Sequence, residues 1–404
     1  MSQHQEIRRF TVSREIRMAC CKAADDSDDE RVNVVRKVKI GVIGAGVISN
    51  NYLKNCTSKH SNILEVKAIA DAVPANAEKR AQEYNIPHVY TVDELLADPD
   101  IEIVLNLTAP VAHAPLNLKA LQAGKHVYTE KPFALSREDA DEVLALAESK
   151  GLLVGCAPDT FLGAGIQTCI KLIDDGWIGK PYAANGTIIM GHAANGTHPN
   201  FQNFLKLGGD PLMDMGPYYL TALIAMLGPV RRVTGSAQQL YQEVNITNPN
   251  SSAYGKAVPV EAPTNVAAVL DFQSGVVANL QAAKESFGYL PRLEIYGTRG
   301  NLTVPDPNMF GGPVTIQFLN GEKKEIPHTH PYAEEGRGMG IADMAYAIQL
   351  SRPNRANGRL ASHVLDISLS IFEASQTEKH VHLRSTVERP APLPLGLQYN
   401  LLDA

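Results

Sequence analysis

From Val38 to about residue 157, short apolar runs alternate with amphipathic ones along the chain. Val38–Ile43 is a short apolar strand, and Val66–Ala70 is a second that ends on Asp71. Ile101–Leu107 is nearly continuous in apolar residues, as a strand buried on both faces must be. Lys125–Thr129 and Leu152–Cys156 complete the series. Between the strands lie helices. Thr91-Val92-Asp93-Glu94 has capping-box spacing and opens a short one, Ala112–Ala123 stops at Gly124, and Ser136–Lys150 is terminated by Gly151. Such alternation with short loops predicts a doubly wound parallel sheet covered by helices on both faces.

Beyond residue 157 the pattern changes. Period-2 alternation marks Tyr182–Met190, Val230–Ala237, Val266–Phe272, Val276–Ala283 and Leu293–Tyr296, which read as antiparallel strands of one large open sheet. Helical periodicity near Gln167–Asp175, Pro217–Leu227, Gly340–Leu350 and Ser362–Glu378 supplies helices to pack on it. Residues 1–37 fit neither pattern. Arg8-Arg9 resemble an export signal, but Arg14, Glu15 and Arg17 stand where its apolar region would be, and 25–30 is an acidic run. The chain therefore divides into a solvated leader over 1–37, an α/β domain over 38–157, a second α/β domain over 158–385 and a tail over 386–404.

Composition narrows the function classes. A chain of 404 residues exceeds the size at which single cores stop growing, which agrees with two domains. A formal net charge of −6, spread over the chain, argues against a nucleic-acid partner. Five cysteines without a C-x-x-C pair exclude a disulfide framework and a zinc ribbon and point to a reducing, cytoplasmic setting. No apolar run is long enough for a membrane span. The scattered histidines and acids have no spacing that suits a metal.

The first strand runs straight into Gly44-x-Gly46, with Val47, Ile48 and Ser49 opening the next helix. Glycines in this strand–turn–helix context let backbone N–H groups approach a pyrophosphate. Ser49 replaces the third glycine of the fingerprint and is still small enough for close packing. Asp71 ends the second strand, where a carboxylate accepts ribose hydroxyls and repels a 2′-phosphate. A dinucleotide is therefore expected, and NAD is favoured over NADP.

Three further stretches share one likeness. Thr108-Ala109-Pro110-x-x-His113, Ala120-Leu121-x-Ala123-Gly124-Lys125-His126-Val127 and Glu130-Lys131-Pro132 resemble the glucose–fructose oxidoreductase, inositol dehydrogenase and rhizopine-catabolism (Gfo/Idh/MocA) oxidoreductases. Gly208-Gly209-Asp210-Pro211-Leu212-x-Asp214-x-Gly216-x-Tyr218 resembles that family's glycine-rich loop and catalytic helix. The likeness spans roughly residues 38–385. It implies a Rossmann domain followed by a domain with an open, mostly antiparallel sheet, through which subunits pair as a homodimer or homotetramer. It also implies NAD(P)-dependent redox chemistry at a carbinol of a small sugar, glycoside or cyclitol, with Thr108, Ala109 and His113 beside the cofactor.

Oxidising a carbinol requires removal of a hydroxyl proton as hydride leaves for the nicotinamide. Lys131 ends the fifth strand beside the expected nicotinamide position, where burial near a cationic ring would lower its pKa toward neutrality. Glu130 would orient Lys131 or the nicotinamide, and the resemblance suggests a cis bond before Pro132. Asp214 and Tyr218 are spaced to share a helix face. Many relatives carry histidine where Tyr218 stands, and others, glucose–fructose oxidoreductase included, carry tyrosine. Tyr218 is the acid/base candidate, sharing its proton with Lys131, which supplies the cation a phenol needs. Asp214 would accept a hydrogen bond from Lys131 or from substrate, or else cap the helix.

The loop from Gly191 to Asn200 is polar and would overhang the cofactor, with His198 the leading substrate ligand and His192 a weaker one. Asp159 and Thr160 occupy the region where relatives contact nicotinamide or substrate. Arg337 could anchor an anionic group or form a structural ion pair, and His363 has no stronger claim. Three functions fit these residues. An NAD-dependent dehydrogenase comes first. A redox-neutral glycosidase, oxidising C3 transiently to permit elimination, would need a further base at Tyr218 or His198. A silent NAD-binding sensor has no chemical use for Lys131, Asp214 and Tyr218 together.

Overall fold

A computed structural model describes residues 36–195, 205–206, 208–398 and 401–403. Most of the leader, with Cys20 and Cys21, and the substrate candidate His198 lie outside the described residues. The first layer is built from β1 (Val38–Ile43), α1 (Ser49–Cys56), β2 (Leu64–Ala70), α2 (Pro74–Tyr84), β3 (His88–Val89), α3 (Val92–Ala97), β4 (Ile103–Asn106), α4 (Pro110–Gln122), β5 (His126–Thr129), α5 (Arg137–Lys150) and β6 (Val154–Cys156). The strands form one parallel sheet in the order β3-β2-β1-β4-β5-β6. The order reverses between β1 and β4, which opens a crevice at the carboxyl ends of the strands. Buried runs such as Ile103–Asn106 fit a sheet covered on both faces. Thr91 and Glu94 exchange both capping-box hydrogen bonds at the start of α3.

A second sheet follows α6 (Ala164–Asp174). Its nine strands include β7 (Pro181–Gly191), β8 (Val230–Gln238), β11 (Asn265–Phe272), β12 (Val277–Ser286), β13 (Leu290–Gly297), β14 (Gly300–Val304), β15 (Val314–Phe318), β16 (Lys323–Ile326) and β17 (Val381–His382). The short strands β9 (Glu243–Asn245) and β10 (Ala257–Pro259) pair separately. The sheet runs β16-β15-β14-β13-β7-β12-β11-β8-β17 and is antiparallel except where β7 and β12 run parallel. The sheet is thus mostly antiparallel, as expected; the one parallel pair lies between two strands whose alternation reports which face is buried and not which way a neighbour runs.

One face of this sheet is covered by α8 (Gly216–Leu227), which follows the short α7 (Pro211–Asp214) and is buried along its whole length. Along β11 and β12 the inward positions, Val266, Leu270, Phe272, Ala278 and Leu280, are buried and alternate with exposed ones. The other face is small and polar at Asn185, Thr187, Asn279 and Gln281. Two helices expected on the second sheet, α9 (Met339–Gln349) and α10 (Gly358–Thr377), also close the first layer. Arg137 of α5 pairs with Asp366 of α10 at 2.6 Å, and the backbone N–H of Cys156 donates to Ala356 at 3.0 Å. The segment before α10 thereby covers the open edge of β6, which would otherwise expose unpaired ladder groups.

Residues after β17 run back over the second layer. Leu393 donates its N–H to Gln167, and Arg389 pairs with Asp174. Asp403 joins Asp343, Arg352 and Arg355 in a largely buried charge network. Among the described residues no helix is long and apolar enough to cross a membrane.

Candidate active site

The crevice between the sheets begins at the turn after β1. Gly44 has φ +106°, and a Cβ there would meet the carbonyl of Leu107 at 2.7 Å, so only glycine fits. A Cβ on Gly46 would point into open space. The N-terminus of α1 has Ile48 at its cap and receives no side-chain hydrogen bond, which leaves its positive end open to an anion. Asp71 stands beside this turn. One carboxylate oxygen accepts from the Ala45 N–H at 2.7 Å and the other from the Val73 N–H at 2.8 Å. The exposed side chains of Val47, Val73 and Val111 ring the turn with apolar surface suited to the flat faces of a dinucleotide. The part-buried Thr108 donates its hydroxyl to Asn106, and the exposed Ala109 precedes α4. An open helix terminus, an obligatory glycine and a carboxylate held beside them by two backbone N–H groups fit NAD as a ligand.

Lys131 lies at the end of β5, before a cis bond to Pro132 as expected. Its ammonium donates to the Asp214 carboxylate at 2.7 Å and to the Asp214 carbonyl at 2.9 Å. Glu130 is buried, accepts from the Tyr52 hydroxyl at 2.7 Å and takes the Lys131 N–H at 3.0 Å, so it fixes this turn. The structure corrects the expected direction of the Lys131 pKa. Burial pulls it down, but Asp214, Tyr218 and Glu130 more than offset that, and it stands above the ordinary lysine range. Lys131 is thus a lasting cation with one N–H left for a substrate oxygen.

Tyr218 is in the first turn of α8. Lys131 lies 5.6 Å from its ring centroid and makes no hydrogen bond to its hydroxyl. The Tyr218 oxygen instead accepts from Arg337 Nη2 at 3.0 Å, with the guanidinium 5.0 Å from the ring centroid. The Tyr218 hydroxyl is thus hydrogen-bonded to Arg337 and not, as expected, to Lys131. Burial raises the Tyr218 pKa, and Lys131 and Arg337 pull it back in part. Asp214 and Tyr218 do not share one continuous helix, because the chain breaks at Met215 between α7 and α8. Nor does Asp214 cap a helix. Asp210 does, accepting from the Leu212 and Met213 N–H groups.

Other expected contacts are placed behind the site. His113 is buried, with Nδ1 at 2.7 Å from the Pro132 carbonyl and Nε2 at 3.0 Å from that of Thr108, so it ties the two turns together. Asp159 is fully buried and accepts from the N–H groups of Gly338 and Gly340, which fixes the backbone next to Arg337. Thr160 is buried. His192 accepts the Ala194 N–H on Nδ1 and faces Glu285 with Nε2 at 3.3 Å. His363 is buried away from the crevice, accepting from the Val230 N–H and bonding Ser385.

Sequence reasoning passed over Lys284 and Asp210. Lys284 is buried, donates to the Gly209 carbonyl, and burial lowers its pKa, with Asp214 and Asp210 opposing. Its signal was legible: along β12 it falls on the inward phase set by Ala278, Leu280 and Ala282, where a charge needs a reason. Asp210 is buried beside it, and burial pushes its carboxyl up to about 6.

Comparison with known proteins agrees with the two-domain fold. Residues 38–157 match the model of a family described as an oxidoreductase family with an NAD-binding Rossmann fold, and residues 166–303 match the GFO/IDH/MocA C-terminal domain. The trans-1,2-dihydrobenzene-1,2-diol dehydrogenase of Mus musculus is 26% identical over 71% of this chain and 79% of its own. The inositol 2-dehydrogenase/D-chiro-inositol 3-dehydrogenase of Lacticaseibacillus casei is 26% identical over 70% of this chain and 76% of its own. In fold, the chain is similar to a levoglucosan dehydrogenase solved with NADH and levoglucosan, at a TM-score of 0.75 and 20% identity over 86% of this chain and 99% of that one.

Proposed function

We propose that this chain, which belongs to the Gfo/Idh/MocA oxidoreductase family, is an NAD-dependent dehydrogenase that oxidises a secondary hydroxyl of a sugar, glycoside or cyclitol. The observation that carries the reading is the convergence of Lys131, Asp214, Tyr218 and Arg337 beside an open helix terminus and Asp71. Bound NAD supplies a hydride acceptor at nicotinamide C4. Gly44, Gly46 and the N–H groups of Val47 and Ile48 would hold its pyrophosphate, and Asp71 its ribose.

The proton is handled by the chain's own residues. Lys131 keeps its charge and donates its remaining N–H to the reacting oxygen, which stabilises negative charge there in either direction. Asp214 anchors that ammonium through two acceptors. Tyr218 takes the hydroxyl proton during oxidation and returns it to the carbonyl oxygen during reduction, with Arg337 stabilising the phenolate. We assign the chain to the branch that carries tyrosine in place of the family's histidine. We also assign the polar face of the nine-stranded sheet as the subunit contact, and the reducing cytoplasm, suited to the buried free thiols of Cys56, Cys156 and Cys169, as its setting.

The redox-neutral glycosidase needs a second base. The candidates for that role are Tyr218, which the dehydrogenase reading already uses for the carbinol proton, and His198, which lies outside the described residues. The test incubates the protein and NAD with sugars, cyclitols and aryl glycosides while following NADH absorbance and aglycone release together. NADH formation without cleavage is expected. Aglycone release at catalytic NAD without net NADH would support the glycosidase instead, and silence in both with intact NAD binding would support a sensor.

A further inference from the structure

Arg337 is in an unusual electrostatic position for this chain. The other arginines that are buried or half-buried, Arg80, Arg137, Arg232, Arg352, Arg355 and Arg389, each contact a carboxylate. Arg337 is half-buried and contacts none among the described residues. Nη2 spends its hydrogens on two neutral oxygens, those of Tyr218 at 3.0 Å and Asn308 at 2.7 Å. The guanidinium lies 5.0 Å from the centroid of the Tyr218 ring and 5.9 Å from that of Phe310. Nε and Nη1 are left without a protein acceptor among the described residues, yet they are not buried atoms.

Desolvating a guanidinium without a contacting counter-charge is costly, so such a group is held for a ligand more often than for stability. Its backbone is fixed for that use. Asp159 holds the N–H groups of Gly338 and Gly340, and the Asn55 amide donates to the Arg337 carbonyl at 2.8 Å. Asp159 and Glu130 act on the charge through space only.

We propose that the substrate bears a carboxylate, which Arg337 binds through its unspent N–H groups beside the carbinol that reacts at Tyr218. This rests on the dehydrogenase reading and deepens it to polyhydroxy carboxylates. In the reaction the carbinol C–H bond breaks and its electron pair leaves as hydride to NAD. The hydroxyl proton passes to Tyr218, and the C=O bond forms next to a carboxylate that stays intact. A phosphate monoester suits the site less, because Asp214, Glu130 and Asp159 already place carboxylates around it and a second negative charge would meet them.

The test uses three compounds with the same ring hydroxyls: glucose, glucuronate and glucose 6-phosphate. With the full chain and NAD, glucuronate should exceed both others in kcat/KM by about tenfold or more. Arg337→Met should bring the glucuronate-to-glucose ratio close to one, mainly through KM, and Arg337→Lys should restore part of it. Equal use of glucose and glucuronate, preference for glucose 6-phosphate, or an unchanged ratio in Arg337→Met would overturn the proposal. Calorimetric binding of gluconate to the NAD-loaded protein separates the two readings. If none of the three is oxidised but gluconate binds the wild type at least about tenfold tighter than Arg337→Met, the anion site stands and the dehydrogenase reading fails. Equal gluconate binding by two variants with the same NAD affinity and melting point removes the anion site.

Discussion

Arg337 donates to the phenolic oxygen of Tyr218 at 3.0 Å while Lys131 remains bound to Asp214, so the two cations of the site have different partners. The division of labour has a pH signature. A tyrosine accepts a proton only as phenolate, and a cation on its oxygen favours that form. Removing the cation raises the Tyr218 pKa. In Arg337→Met the ascending limb of kcat/KM for oxidation should therefore move to higher pH, by about one unit. Tyr218→Phe should lose about 10²- to 10⁴-fold at every pH. A limb that stays in place in Arg337→Met would assign the titration to another group.

Lys131→Met should lower kcat by about 10²- to 10³-fold, because one donor aimed at the developing charge is lost. NAD affinity, read by fluorescence titration, should stay within about threefold, since the proposed cofactor cradle is the turn after β1 with Asp71 and does not include Lys131. Wild-type turnover in this variant would refute the assignment.

Asp71→Ser removes the acceptor of the Ala45 and Val73 N–H groups and the charge that faces a 2′-phosphate. NAD should bind about 10- to 100-fold more weakly, with a smaller loss for NADP, so that the preference narrows. Parallel KM measurements for the two cofactors decide this.

Stability should fall on mild acidification. Burial lowers the pKa of His60 and of His363 to about 4, whereas an unfolded histidine titrates near 6.5. Between those values the unfolded chain binds protons that the folded chain refuses. Folding free energy therefore drops as pH falls from about 6.5 to about 4, by up to about 3 kcal/mol per histidine. His363→Gln should remove that histidine's share of the slope in urea titrations at a series of pH values. An unchanged slope would show that His363 is not buried neutral.

Much of the fold was legible because periodicity reports burial directly. The β1 strand, the Thr91 capping box and the Gly151 stop of α5 lie where the residues place them. The parallel pairing of β7 with β12 was not legible, since both directions produce the same alternation. Lys131, Asp214 and Tyr218 are brought together as their motifs imply. The Arg337 contact joins positions far apart in sequence and depends on a turn fixed by Asp159, for which no local pattern exists. Asp159 itself illustrates the same limit: a polar residue after a strand reads as a ligand contact, and here it holds backbone.

The central claim is hydride transfer from a carbinol carbon to NAD with Tyr218 managing the proton. It is tested most directly by supplying NAD with a polyol deuterated at the reacting carbon and locating the label by NMR. The account predicts one deuterium at nicotinamide C4 per ketone formed, with transfer nearly abolished in Tyr218→Phe. Deuterium returned to the reacting carbon of a cleaved sugar, with NAD regained and no label left at nicotinamide C4, would contradict it.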